Sequence, residues 1–258
     1  MKSLIFIKRN FKEMLRDPLL YIFCAGFPIA LIGMFQIILH YTNGKTPIFE
    51  VKSLIPGVMM FSYTLLMLMC SLLISKDKST QFIKRLYTSP MRSHNYLIGY
   101  FVPYFLVGII QSFICIIMGY IFGAINGSGF IDFGKALLLI LEMIPIMCIN
   151  IFVGMILGRL LNDKSAPAIT SIFISCSGVL GGAWMPLDTM GGFETFTMAF
   201  PFHPAVYLGR VITGAKHTTG DSIFTFDDKG VICLVIVLVY LVISLALSIL
   251  FFNKKFNK

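Results

Sequence analysis

Residues 19–39, LLYIFCAGFPIALIGMFQIIL, hold no charged side chain, and comparably long uncharged runs recur along the chain. An apolar run longer than about 18 residues is best accommodated as a helix through a bilayer, where every backbone amide is satisfied inside the helix. Six spans can be placed, at about 19–39, 54–75, 97–122, 135–158, 167–184 and 231–252. Composition agrees, with 57% of residues hydrophobic and 13% charged, against about 25% charged in a soluble domain. The expected fold is an all-α integral membrane protein, with 1–258 forming a single transmembrane domain.

The segments between the spans are informative. Met1–Asp17 repeats Leu4, Ile7, Phe11 and Met14/Leu15 at helical spacing, with Lys2, Lys8, Arg9, Lys12 and Arg16 around the rest. That is an N-terminal interfacial helix suited to anionic headgroups, so membrane lipids are expected partners. Met190–Gly214 is apolar enough to suggest a seventh span. Gly191, Gly192, Pro201 and Pro204 interrupt it, however, and Glu194 and Arg210 would be buried in lipid. A re-entrant or outer helix pair before the last span fits better. Lys2, Lys8, Arg9, Lys12, Arg16, Lys76, Lys78, Lys84, Arg85, Arg92, Arg159, Lys164, Lys254, Lys255 and Lys258 are fifteen of the 21 basic residues. All fall in segments that six spans put on one side, which the positive-inside rule makes cytoplasmic, with both termini. LIFI is too short for the apolar core of a signal peptide.

Many functions are excluded. The net charge of +9 is spread between apolar runs rather than over one soluble face, which excludes nucleic acid as a partner. All six cysteines sit inside apolar runs without a CxxC pair, and the four histidines show no ligand spacing, so neither a metal nor a bound cofactor is expected. GxxxxGK[ST], HExxH and GxSxG are missing from the sequence, so the chain is read as no enzyme and no ATPase. Glu142 is the one acid well inside a span. It reads either as a polar group in a translocation cavity or as a protonated or hydrogen-bonded carboxyl. An ATP-independent carrier usually shows several intramembrane ionisable groups and an internal repeat; this carrier, or a membrane scaffold, is the alternative reading. Gln111 and Asn150 are expected to bond between helices. The glycine pairs Gly119/Gly123, Gly154/Gly158 and Gly178/Gly182 are expected to bring helices close within one chain.

Between the second and third spans lies a basic island, Lys76–Tyr96, with Asp77 as its single acid. Ser79–Thr88 reads as a short helix with Phe82, Ile83, Leu86 and Tyr87 on one side and Gln81, Lys84, Arg85 and Thr88 on the other. Asp77 or Ser79 can cap its start and Pro90 ends it. At about 15 Å it would lie flat against the membrane.

The chain resembles the permease subunits of the ABC type-2 exporter family, including the daunorubicin-exporter-like drug permeases, over nearly its whole length. The resemblance rests on Arg16-Asp17-Pro18, on FIKRLYTSPMRSHNYLIGY, and on SGVLGGAWMPLDTM followed by FPFHPAVYLGRVITG. It implies that two such subunits, identical or different, pair in a bacterial or archaeal cell membrane. Two separate ATPase subunits, which bind the ATP and magnesium, would dock beneath them. The Ser79–Thr88 helix would be the coupling helix, with Ser79, Phe82, Lys84, Arg85, Leu86 and Pro90 as its contact residues. Ser62, Met67, Ser171 and Ser175, with Glu142, would line the path of an amphiphilic substrate such as a drug, lipid or peptide.

Overall fold

The computed structural model describes residues 2–42, 46–82, 93–127, 129–218 and 222–253. Among them the chain is helical throughout apart from turns and one isolated β-bridge, Lys216–Ile223. The helices are α1 (Lys2–Leu15), α2 (Pro18–Tyr41), α3 (Val51–Ser79), α4 (Ser93–Ile125), α5 (Phe133–Leu160), α6 (Ala166–Leu180), α7 (Gly192–Met198), α8 (Phe202–Thr213) and α9 (Asp228–Asn253). Of these α2, α3, α4, α5 and α9 are long and apolar enough to cross a membrane. The chain turns from α1 into α2 where the Asp17 side chain accepts a 3.0 Å bond from the Leu19 amide, with Pro18 at the first helical position.

The bundle is built round α3. Its side chains from Val51 to Asp77 are almost all buried, against α2, α4, α5, α6 and α8. By contrast α2 and α9 expose broad apolar surfaces, including Ile37, Val242 and Leu250, which suit contact with lipid. α3 and α5 approach closely. A β-carbon at Gly154 would lie 2.6 Å from the Met67 carbonyl oxygen, and one at Gly158 would lie 2.7 Å from that of Ser71. This glycine pair thus brings helices together within one chain. Gly182 does something else: at φ +59° it makes a turn.

The span expected over 167–184 is shorter than the sequence suggests. α6 ends at Leu180, and its 15 residues reach about 22 Å, short of a hydrocarbon core of about 30 Å. It runs antiparallel to α3, from Thr170 beside Ser71 to Gly178 beside Phe61. Gly181 and left-handed Gly182 then break the helix. In the turn that follows, the Ala183 carbonyl oxygen would lie 2.6 Å from a β-carbon at Gly57 of α3.

The interrupted segment after α6 forms two short helices, α7 and α8, at the Val51 end of α3. The two charges that argued against a seventh span are satisfied by protein. Arg210 donates to the carbonyls of Gly182 at 2.7 Å and Ser53 at 3.3 Å, and Lys229 donates to Glu194 at 2.6 Å. Between α7 and α8, Thr197 Oγ1 and His203 Nδ1 are 3.0 Å apart. Burial first, then the positive charge of Arg210 and Lys229, pushes the His203 imidazole down to about 3, so the ring is neutral. Within the bundle, Gln111 bonds across to the Ser62 carbonyl of α3, as expected, whereas Asn150 Nδ2 donates to Ile146 of its own helix.

Candidate functional site at the α1 end of the bundle

The last turns of α3 carry Lys76, Asp77 and Lys78 past the apolar stretch Leu72-Leu73-Ile74. Asp77 is buried, 2% exposed, and a buried carboxylate is tolerable only when charge and hydrogen bonds compensate it. Arg9 of α1 supplies both, with Nη1 2.8 Å from Oδ2 and Nη2 2.9 Å from Oδ1. This two-pronged geometry is the strongest that arginine offers a carboxylate. Tyr100 of α4 completes the set, its hydroxyl donating to Asp77 Oδ2 at 2.7 Å. One carboxylate thereby fastens three helices.

Further contacts surround this node. Glu13 pairs with Arg9 one turn along α1 and lies 3.9 Å from Lys76 Nζ. Asn10 Oδ1 accepts from Arg9, and its amide donates at 2.9 Å to the Gly99 carbonyl. Position 99 needs glycine, because a β-carbon there would come within 2.1 Å of the Phe6 ring. Phe6 packs edge-on against Tyr96 and Tyr100. The Arg9 guanidinium lies 4.0 Å above the centre of the Phe82 ring, a cation–π contact. Lys78 turns the other way, donating at 3.0 Å to the Arg159 carbonyl at the end of α5. The Arg159 guanidinium lies 5.3 Å over Phe252 of α9. Beside the node a cleft of about 800 Å³ is lined by Arg9, Lys12, Arg16, Lys76, Met69 and Tyr104 among others.

These positions correct the expected start of the coupling helix. Ser79 is the last residue of α3 rather than the first of a new helix, and its hydroxyl donates back to the Lys76 carbonyl. Asp77 lies inside α3, where it anchors the node. The break comes at Thr80 and Gln81, where Gln81 takes φ +59°, a left-handed angle that ends helices. Helical backbone resumes at Phe82. Lys84, Arg85, Leu86 and Pro90 lie outside the described residues.

The interfacial reading of α1 gains a second face. Phe6, Asn10 and Met14 are buried against the bundle, while Leu4, Ile5 and Leu15 are exposed. The helix therefore divides its surface between protein and the surroundings. Sequence reasoning missed Arg9, Asn10, Glu13, Gly99 and Tyr100 as a group. The available signal was Asp77, a lone acid among cations that needed a specific partner.

The expected substrate-path residues separate into three places. Ser62 and Met67 are buried inside the bundle, the Ser62 hydroxyl donating to the Val58 carbonyl at 2.6 Å. They form part of the packing around α3 and line no open path in this conformation. Ser171 and Ser175 are exposed on α6, and their hydroxyls bond to carbonyls of their own helix. Glu142 lies on α5, beside a cavity shared with α8 and α9 that none of the other four residues lines. Among the described residues no cluster of three His, Cys, Asp or Glu side chains could hold a metal ion.

The node can transmit position. α1, α3 and α4 cannot shift relative to one another at this end without separating Arg9, Asp77 and Tyr100. Phe82, the first residue beyond the α3 break, is held against the same guanidinium. Residues 2–213 match the family model described as ABC-2 type transporter. No curated protein matches the chain.

Proposed function

The chain belongs to the ABC-2 type transporter family, and from that premise we propose that it is the membrane-spanning permease subunit of an ATP-driven exporter of an amphiphilic substrate, such as a drug, lipid or peptide. The family assignment makes it a transport permease and a multi-pass membrane protein that works with ABC ATPase partners. The export direction, the substrate and the assembly are our reading. Two permease subunits pair in the cell membrane with both termini cytoplasmic, and two ATPase subunits carry the ATP and magnesium.

The observation that supports this reading most is the Arg9–Asp77–Tyr100 node. It joins the interfacial helix, the central helix α3 and α4 at one end of the bundle, with Phe82 held against the same guanidinium. In the proposed mechanism the ATPase cleft receives the 83–92 segment, with Lys84, Arg85 and Leu86 as contacts. Drawing the ATPases together moves α1, α3 and α4 as one body through the node, because a bound partner shifts a two-state element only through contacts that differ between the states. α6 exposes Ser171 and Ser175 together with Ile172 and Phe173, a face with polar and apolar groups that a second permease subunit would share as a cavity wall.

Arg85→Glu is the direct test. It reverses charge at the proposed contact. We expect about tenfold or greater loss of copurifying ATPase subunit, with loss of ATP-dependent transport and unchanged thermal stability of the permease. Full ATPase retention and normal transport in this variant would overturn the reading. Transport by the purified chain with no ATPase present would instead favour the carrier alternative.

A further inference from the structure

α5, α8 and α9 enclose a cavity of about 390 Å³, a size suited to a small ligand. Its walls are apolar, with Leu138 and Leu141 from α5, Val211 and Ile212 from α8, and Val237 and Leu238 from α9. The exception is Glu142. Both of its carboxylate oxygens are buried, and no hydrogen-bond donor among the described residues reaches either. A buried acceptor left in that condition costs about 1–3 kcal/mol, and more when charged. The cations of the neighbouring elements are committed elsewhere: Arg210 of α8 to the Ser53 and Gly182 carbonyls, and Lys229 of α9 to Glu194. Lys135, two turns earlier on α5, lines a different cavity with Lys52 and Asp132. The rim faces outward from the bundle, with Leu141 63%, Leu138 49% and Leu238 45% exposed. In a membrane-spanning chain, access from that side is access from lipid.

We propose that this cavity binds a lipophilic primary amine from the lipid phase, its alkyl body in the apolar walls and its ammonium group donating to both oxygens of Glu142. The ligand supplies what the protein lacks there: hydrogen-bond donors, and a positive charge in a medium where an unpaired carboxylate is costly. An apolar body is needed to fill the cavity and to reach it through lipid. The site lies apart from the α1-end node and needs no ATPase.

The experiment is native mass spectrometry of the full chain released from nanodiscs after equilibration with n-decylamine, n-decanol or decanoate. Wild-type protein is expected to retain one decylamine and neither of the other two. Glu142→Gln keeps the shape of the side chain and removes its charge; it should weaken decylamine retention at least about tenfold. Val211→Phe narrows the cavity and leaves the carboxylate, and should weaken retention similarly. Retention of decylamine by Glu142→Gln at the wild-type level, or of decanol as tightly as the amine, would overturn the proposal. The near-isosteric Glu142→Gln variant decides the matter even if Val211→Phe fails to fold. No ATPase enters the measurement, so failure here leaves the proposed ATP-driven role standing, and failure of that role leaves this site standing.

Discussion

Asp77→Ala is expected to lower the unfolding free energy by about 2–3 kcal/mol and to release α1 from the bundle. The wild-type carboxylate is buried and holds three donors on two helices. Without it, the Arg9 guanidinium loses its buried partner and the hydroxyl of Tyr100, a residue 2% exposed, loses its acceptor. The cost falls below that of a fully buried pair because the Arg9 side chain is 32% exposed and Glu13 remains beside it, so water screens part of the loss. Denaturant unfolding in nanodiscs measures the energy, and limited proteolysis within α1 measures the release. Arg9→Ala combined with Asp77→Ala should cost clearly less than the two single changes added together, the signature of direct coupling. A single-variant loss under about 0.5 kcal/mol, in the range of ordinary surface changes, would show that the node does not hold this end together.

Gly154→Leu is expected to be at least as damaging, costing about 3 kcal/mol or preventing folding altogether. The first side-chain atom would lie 2.6 Å from the Met67 carbonyl oxygen and 3.0 Å from its α-carbon. Those are backbone atoms of the most buried helix in the bundle, so no side chain can rotate out of the way. Relief requires α3 and α5 to move apart, which opens gaps along the length of their contact. Gly134→Ala, near the start of the same helix, is the control. A β-carbon there meets nothing within 4 Å, so the effect should stay within about 0.5 kcal/mol. Heating detergent-solubilised variants and following monodisperse protein by size exclusion separates the two. Equal behaviour would mean that the α3–α5 contact is looser than its geometry indicates.

The outline of the fold was legible because lipid demands uninterrupted apolar helices, and sequence records that demand as charge-free runs. The α7–α8 pair was legible too, since Gly191, Gly192, Pro201 and Pro204 punctuate it. The end of α6 was not. Gly181, Gly182 and Ala183 leave the run apolar, so hydropathy does not register the turn that Gly182 makes with its positive φ. The end of α3 was misplaced for a different reason. KDKST has the composition of a helix start, yet here tertiary contacts override local preference, because Arg9 and Tyr100 stabilise Asp77 inside the helix. The node itself joins residues 9, 77 and 100, and no local pattern links them. Ser62 and Met67 were assigned to the substrate path on side-chain chemistry alone. Which way a side chain points on an all-apolar helix is fixed by its neighbours, and local sequence does not name them.

The central proposal is that work done by a separate ATPase reaches this chain through the segment that begins at Phe82. A photo-crosslinking amino acid placed at position 85 in native membranes tests it most directly. The account predicts an adduct with a subunit that carries a phosphate-loop ATPase motif, and a change in adduct yield when a non-hydrolysable ATP analogue is added to inverted vesicles. No ATPase adduct, together with labelling of the same position by an impermeant reagent outside sealed cells, would contradict it.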